Sequence, residues 1–240
     1  MEKDLIKEIT IIVLASLFLG FVLALNVSLP MISFEPDDFF IYFLLSLAIL
    51  GIFVLAQKAT ADYLDCKIRI KLLSFRKYWF RPLREGAKAE FPFEFPAWLA
   101  LPLILVIITN GFFKWLAILN FDIEPKPSRV RRRWEELTEA DIGKIALSGP
   151  IAVLILGLII RVAGYNEFAM ICAWLAFLTL IPIGLGFKIL NSTRVTWFFA
   201  FIFSLFILLL MNLTNTFATI IIALLLAAII TIAYYTLYEK

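Results

Sequence analysis

The 240-residue chain contains no histidine and only two cysteines, and Asp, Glu, Lys and Arg together make up just 17% of it. Without histidine, imidazole acid–base chemistry and His-ligated metals are excluded. Cys66 and Cys172 are too few for a disulfide framework or a four-Cys zinc site. So little charge also excludes a nucleic-acid-binding domain, which needs a basic face, and a disordered tail. What fills the chain is hydrocarbon. Apolar residues reach 62% and mean hydropathy is +0.95, where a soluble domain carries roughly 45–50% apolar residues. A soluble enzyme of this length cannot hide that much apolar side chain, so the expected solvent is lipid.

Apolar runs cover residues 9–25, 39–56, 97–119, 145–162, 168–185, 196–211 and 217–235. Each is close to the roughly 20 residues a spanning helix needs. No A-x-A-like cleavage site follows the first, which reads as a spanning helix rather than a signal peptide. Basic residues then set the sides. Residues 57–96 carry nine Lys and Arg, 120–144 carry six, and 26–38 carry none. If 97–119 spanned the membrane, the two basic regions would lie on opposite sides. Pro102, the Asn110-Gly111 turn signal and Lys114 instead suggest a segment that enters and leaves on one side. Twenty of the 22 basic residues then fall inside, Lys114 and Arg161 being the exceptions. The expected architecture is an all-α multi-pass protein of the cell membrane. It has six transmembrane helices, one re-entrant segment and both termini cytoplasmic.

Smaller signals add detail. Residues 67–72 alternate strictly between charged and apolar, a strand pattern. Residues 112–123 could also be extended, so a small cytoplasmic-side sheet is expected. Thr138 with Asp141 three residues later reads as a helix start. Arg131, Arg132 and Arg133 beside Trp134 read as a topological anchor. Trp79, Trp98, Trp115, Trp174 and Trp197 read as interface residues. Asp62, Asp65 and Cys66 lack the spacing of a known metal site. Asn26-Val27-Ser28 and Asn212-Leu213-Thr214 are glycosylation sequons, a weak signal.

The order of parts has a further meaning. A helix ends near Lys58 and a Tyr63-Leu64-Asp65-Cys66 segment; a basic strand and a membrane-dipping hairpin follow. Ile145-Ala146-Leu147-Ser148-Gly149-Pro150 then opens a helix, and Leu180-Ile181-Pro182-Ile183-Gly184-Leu185-Gly186-Phe187-Lys188-Ile189-Leu190 ends another. Over residues 39–190 this resembles the site-2 protease family of intramembrane zinc metalloproteases, particularly its archaeal branch. The resemblance implies a core at 39–190, with 1–38 and 191–240 as an added N-terminal helix with its outer loop and an added C-terminal two-helix hairpin. It also implies where the chemistry should sit. The H-E-x-x-H positions, which put two zinc ligands and a general base on one helix face, are Phe53, Val54 and Gln57 here. The third-ligand Asp falls on Leu185, and the Asn of the Gly-Pro motif on Val153. Apolar packing replaces nearly every one.

The expectation is therefore a proteolytically inactive homologue with no catalytic residues, metal or cofactor. It would bind or scaffold transmembrane partners among membrane lipids, with Gln57, Asn110 and Lys114 as partner-binding candidates, and no nucleic acid. The alternative is a small subunit or accessory protein of a membrane transporter or other membrane complex. A displaced enzyme site is disfavoured, because no dense polar cluster recurs along the helices.

Overall fold

Residues 2–28, 31–34, 36–77, 90–126 and 137–238 are described in the computed structural model. The apolar runs form helices α1 (Glu2–Ala24), α2 (Pro36–Tyr63), α3 (Ala97–Ile108), α4 (Glu139–Val162), α5 (Asn166–Leu180), α6 (Leu185–Ser192), α7 (Arg194–Leu210) and α8 (Thr216–Tyr238). Between them lie short strands β1 (Leu25–Ser28), β2 (Met31–Phe34), β3 (Cys66–Leu72), β4 (Phe75–Lys77), β5 (Glu90–Phe95) and β6 (Leu119–Pro125). They pair as three antiparallel ladders, β1–β2, β3–β6 and β4–β5. Trp79, Ser128, the Arg131–Arg133 run and Trp134 lie outside the described residues.

Among the described residues, four helices are long and apolar enough to cross a membrane: α1, α2, α4 and α8. A fifth is possible if α5 and α6, bent by 58° at a short break, count as one span. This is the architecture of a multi-pass membrane protein. The sixth expected span, α7, has 17 residues. At ~1.5 Å per residue it covers about 25 Å, short of a hydrocarbon core of roughly 30 Å. The helix expected over 168–185 stops early, at Leu180. Pro182 lacks an N–H and clashes with the preceding turn, and Gly184 turns with φ 64°. Leu185 therefore opens a new helix instead of ending the old one. The freed carbonyl of Leu180 accepts the Trp197 indole N–H at 2.7 Å.

The start of α4 follows the sequence expectation: the Asp141 N–H donates to Thr138 Oγ1 at 3.3 Å. The expected small sheet is the β3–β6 ladder, paired from Cys66↔Pro125 to Leu72↔Leu119. Its Ile68 and Ile70 are buried, and its charged face is laced by Arg69–Glu124 at 3.0 Å and by Lys71–Asp122. Residues 112–118, expected to be extended, return alongside the bundle without pairing as a strand.

That return closes a hairpin whose two ends meet at one residue. The Trp98 N–H donates to the Leu73 carbonyl at 2.8 Å where α3 begins, and the Leu73 N–H donates to the Ile118 carbonyl at 2.8 Å where the segment ends. Between these points α3 climbs about 18 Å and ends in a Schellman turn. There the Gly111 N–H donates to Val106 O at 2.8 Å and the Asn110 N–H to Ile107 O at 3.3 Å. Asn110 takes φ 55°, a left-handed conformation that asparagine tolerates better than most residues. The seven residues from Phe112 to Ile118, at about 3.3 Å each, are long enough to come back.

A backbone outside regular structure must find partners wherever water is absent. Here tryptophans supply some of them. The Trp174 indole donates to Lys114 O at 3.0 Å, and Trp115 donates to Ala117 O at 2.9 Å. With Trp197, three of the tryptophans expected as interface residues act as carbonyl caps. The hairpin geometry is testable in membranes. With both native cysteines replaced by alanine, Ser74→Cys and Glu124→Cys should react with an impermeant maleimide from the same face. Labelling from opposite faces would make residues 97–118 a complete span.

Candidate functional site

Helix α2 buries Ser46, Ile49, Leu50, Phe53, Val54, Gln57 and Ala61. These fall on one face at helical spacing. Much of that face lies against α4, whose own buried side includes Gly143, Gly149, Val153 and Gly157. Small residues let helix backbones approach where no hydrophobic force draws helices together. A Cβ on Gly149 would lie 2.8 Å from the Phe53 ring, and one on Gly157 would lie 2.8 Å from Cys172 Cβ on α5. A Cβ on Gly143 would collide with Ser192 on α6. So α4 meets three different helices through three glycines.

The five positions that the resemblance assigns to metal chemistry lie around this hub. Phe53, Val54 and Gln57 are on α2, Val153 is on α4, and Leu185 opens α6, and none is more than 3% exposed. Phe53, Val54, Val153 and Leu185 belong to one buried apolar cluster. The Phe53 ring rests on the glycine of the Gly149-Pro150 pair. Gln57 Nε2 is buried and has no hydrogen-bond partner among the described residues, a loss that usually costs about 1–3 kcal/mol. Among the described residues, no group of Cys, Asp and Glu could hold a metal ion. Asp62, Asp65 and Cys66 serve the turn after α2 instead. Asp62 pairs with Lys126 at 2.7 Å, Asp65 turns with φ 54°, and the buried Cys66 thiol donates to Leu64 O at 3.3 Å.

The three partner-binding candidates are not brought together. Gly111 and Lys114 line a cavity beside Tyr42, while from Tyr42 to Gln57 helix α2 runs about 22 Å. Gln57 faces inward, Asn110 is exposed at the hairpin tip, and Lys114 is half-buried. Lys114 Nζ donates to Leu23 O at 2.6 Å. That carbonyl lies in the last turn of α1, where carbonyls lack intrahelical partners and the helix dipole favours a cation. Lys114 therefore anchors the hairpin to α1.

The cavity has a volume of about 800 Å³ and is also lined by Asn166, Glu167, Met170, Trp174 and Asn212. The sequence marked Trp174 as an interface residue and Asn212 as part of a sequon, and none of the five as lining a site. The one available signal was the pairing of a lone lysine in an apolar run with a carboxylate at a helix start. Comparison with family models, curated proteins and solved structures gives no match for this chain.

Two substitution series probe these contacts. Gly149→Ala should lower the melting temperature in detergent, because the new methyl meets the Phe53 ring. Adding Phe53→Leu should recover part of that loss, whereas additive losses would show that the two residues do not touch. At the hairpin tip, Asn110→Gly should leave stability unchanged or slightly higher. Asn110→Leu should cost about 1–2 kcal/mol for the left-handed backbone. Equal stability of the two variants would show that the turn does not require a left-handed residue.

Proposed function

We propose that this protein is a proteolytically inactive relative of the site-2 proteases that holds or assembles transmembrane partners. One observation carries the reading. Phe53, Val54, Val153 and Leu185, which the resemblance assigns to two ligands, the base and the Asn of one site, come from three helices far apart in sequence; all four are buried in the same apolar core, and α2 and α6 both pack against α4. Hydrocarbon at those positions suits a site that has lost its metal, since a lone carboxylate left at membrane depth would be costly. In this proposal α7 counts as the sixth span, and both termini are cytoplasmic.

The hairpin supplies the surface for a partner. Helix α3 leans on α1 through Trp98 on Phe18 and Val106 on Val22. Its other side exposes Leu99, Ile104, Ile107 and Ile108. A helix bound there would be held by close packing, because lipid tails are as apolar as leucine. Gln57 is too buried to bond a partner in this state, so the contact falls to the hairpin.

The test places a photo-crosslinking amino acid at Ile104 or Ile108, and at Ile229 on α8 as a lipid-facing control, in native membranes. A discrete protein adduct at the α3 positions and none at Ile229 is expected. Lipid adducts alone at all three positions would remove the binder reading. Zinc-dependent cleavage of a transmembrane peptide by the purified chain would overturn the inactive assignment.

A further inference from the structure

We propose that the cavity beside the hairpin tip binds one phospholipid with a primary-ammonium headgroup, its phosphodiester against Lys114 and its ammonium against Glu167. This does not depend on the protease resemblance. The cavity lies at one end of the bundle, where α1 ends, α5 begins and α7 ends. Its volume of about 800 Å³ lies within the usual ~300–1,000 Å³ of small-molecule sites. That is room for a headgroup and the top of an acyl chain.

Its lining is graded from polar to apolar. Asn166, Glu167 and Asn212 sit at the helix ends, while Met170, Ile171 and Leu208 lie further along the helices toward the hydrocarbon. This matches an amphiphile lying along the helices. A soluble polar ligand would leave the apolar floor uncovered.

The charges choose the headgroup. An ammonium has three donors, and Lys114 gives one to Leu23 O. Among the described residues no carboxylate pairs with it. A cation in a largely apolar wall is stabilised most by an anion. Glu167 lines the same cavity and likewise has no salt bridge among the described residues. Two opposite charges in one cavity that do not pair with each other complement a zwitterion carrying both. A phosphoethanolamine headgroup presents an anionic phosphodiester beside an N–H donor. A phosphocholine headgroup has the same charges but no N–H to give Glu167, and phosphoglycerol offers hydroxyls without the positive charge.

The experiment is native mass spectrometry of the full chain in mild detergent, titrated separately with phosphatidylethanolamine, phosphatidylcholine and phosphatidylglycerol. One phosphatidylethanolamine should be retained, at least fivefold more tightly than either comparator. Lys114→Met should weaken its binding at least tenfold, with recovery in Lys114→Arg. Glu167→Gln should abolish the preference over phosphatidylcholine. Because Lys114 also anchors α1, Ile171→Trp provides a second arm. It narrows the cavity without touching that bond, and it should weaken binding while the melting temperature stays within a few degrees of wild type. Equal binding of all three lipids to the wild-type chain would overturn the proposal. So would wild-type lipid retention in both Glu167→Gln and Ile171→Trp.

Discussion

The packing depends first on α4 having no side chain where its neighbours come closest. Gly143, Gly149 and Gly157 each leave a space that a neighbouring helix fills: Ser192 of α6, the Phe53 ring of α2 and Cys172 of α5. Between apolar helices in an apolar solvent, contact area at short range is the main attraction available. One methyl at any of these glycines would push two helices apart. The same device recurs once more, where Gly20 of α1 meets the backbone of Phe43 on α2. Because α2 and α6 both lie against α4, residues 53, 153 and 185 are held in one cluster without any ligand joining them.

The second constraint is the accounting of backbone polar groups. The segment from Thr109 to Ile118 has no regular ladder, so each of its donors and acceptors is a potential cost. Thr109 Oγ1 accepts the Phe113 N–H at 2.9 Å, indoles cap the carbonyls of Lys114 and Ala117, and Leu73 holds both ends. Lys114 repays the contact by capping α1. Hairpin and bundle thus satisfy each other. The cavity at the tip is what remains where the irregular chain cannot fill the space between α1, α2 and α5.

Charge is handled locally. Several of the basic residues counted for topology already have carboxylate partners. Lys58 meets Glu8 at 2.5 Å, Lys126 meets Asp62, and the β3–β6 face carries two cross-strand pairs. The exposed pairs among these contribute little stability, about 0–1 kcal/mol each; Lys58–Glu8 is part-buried. Together the pairs fix geometry, tying α1 to α2 and the end of β6 to the end of α2. At the other end Arg161 is also occupied, donating to Thr219 Oγ1 at 2.8 Å and to Thr214 O. An arginine that stood out from the charge pattern thereby holds α4 against the α7–α8 turn.

By itself the sequence determined the solvent, the helices and the hairpin. Composition demands lipid, apolar runs long enough to span demand helices, and Asn110-Gly111 between Pro102 and Lys114 demands a reversal, because these are local properties of the chain. Thr138, Asp141 and the β3 alternation were legible for the same reason. The tertiary structure alone decided the rest. Pro182 with Gly184 moved Leu185 into a new helix, and burial turned Gln57 inward. Trp115, Trp174 and Trp197 became carbonyl caps, and Lys114 shares a cavity with Glu167. Each of those outcomes depends on which backbone groups and side chains meet across helices. A linear pattern fixes which face of a helix is apolar, but not which neighbour it meets or how closely.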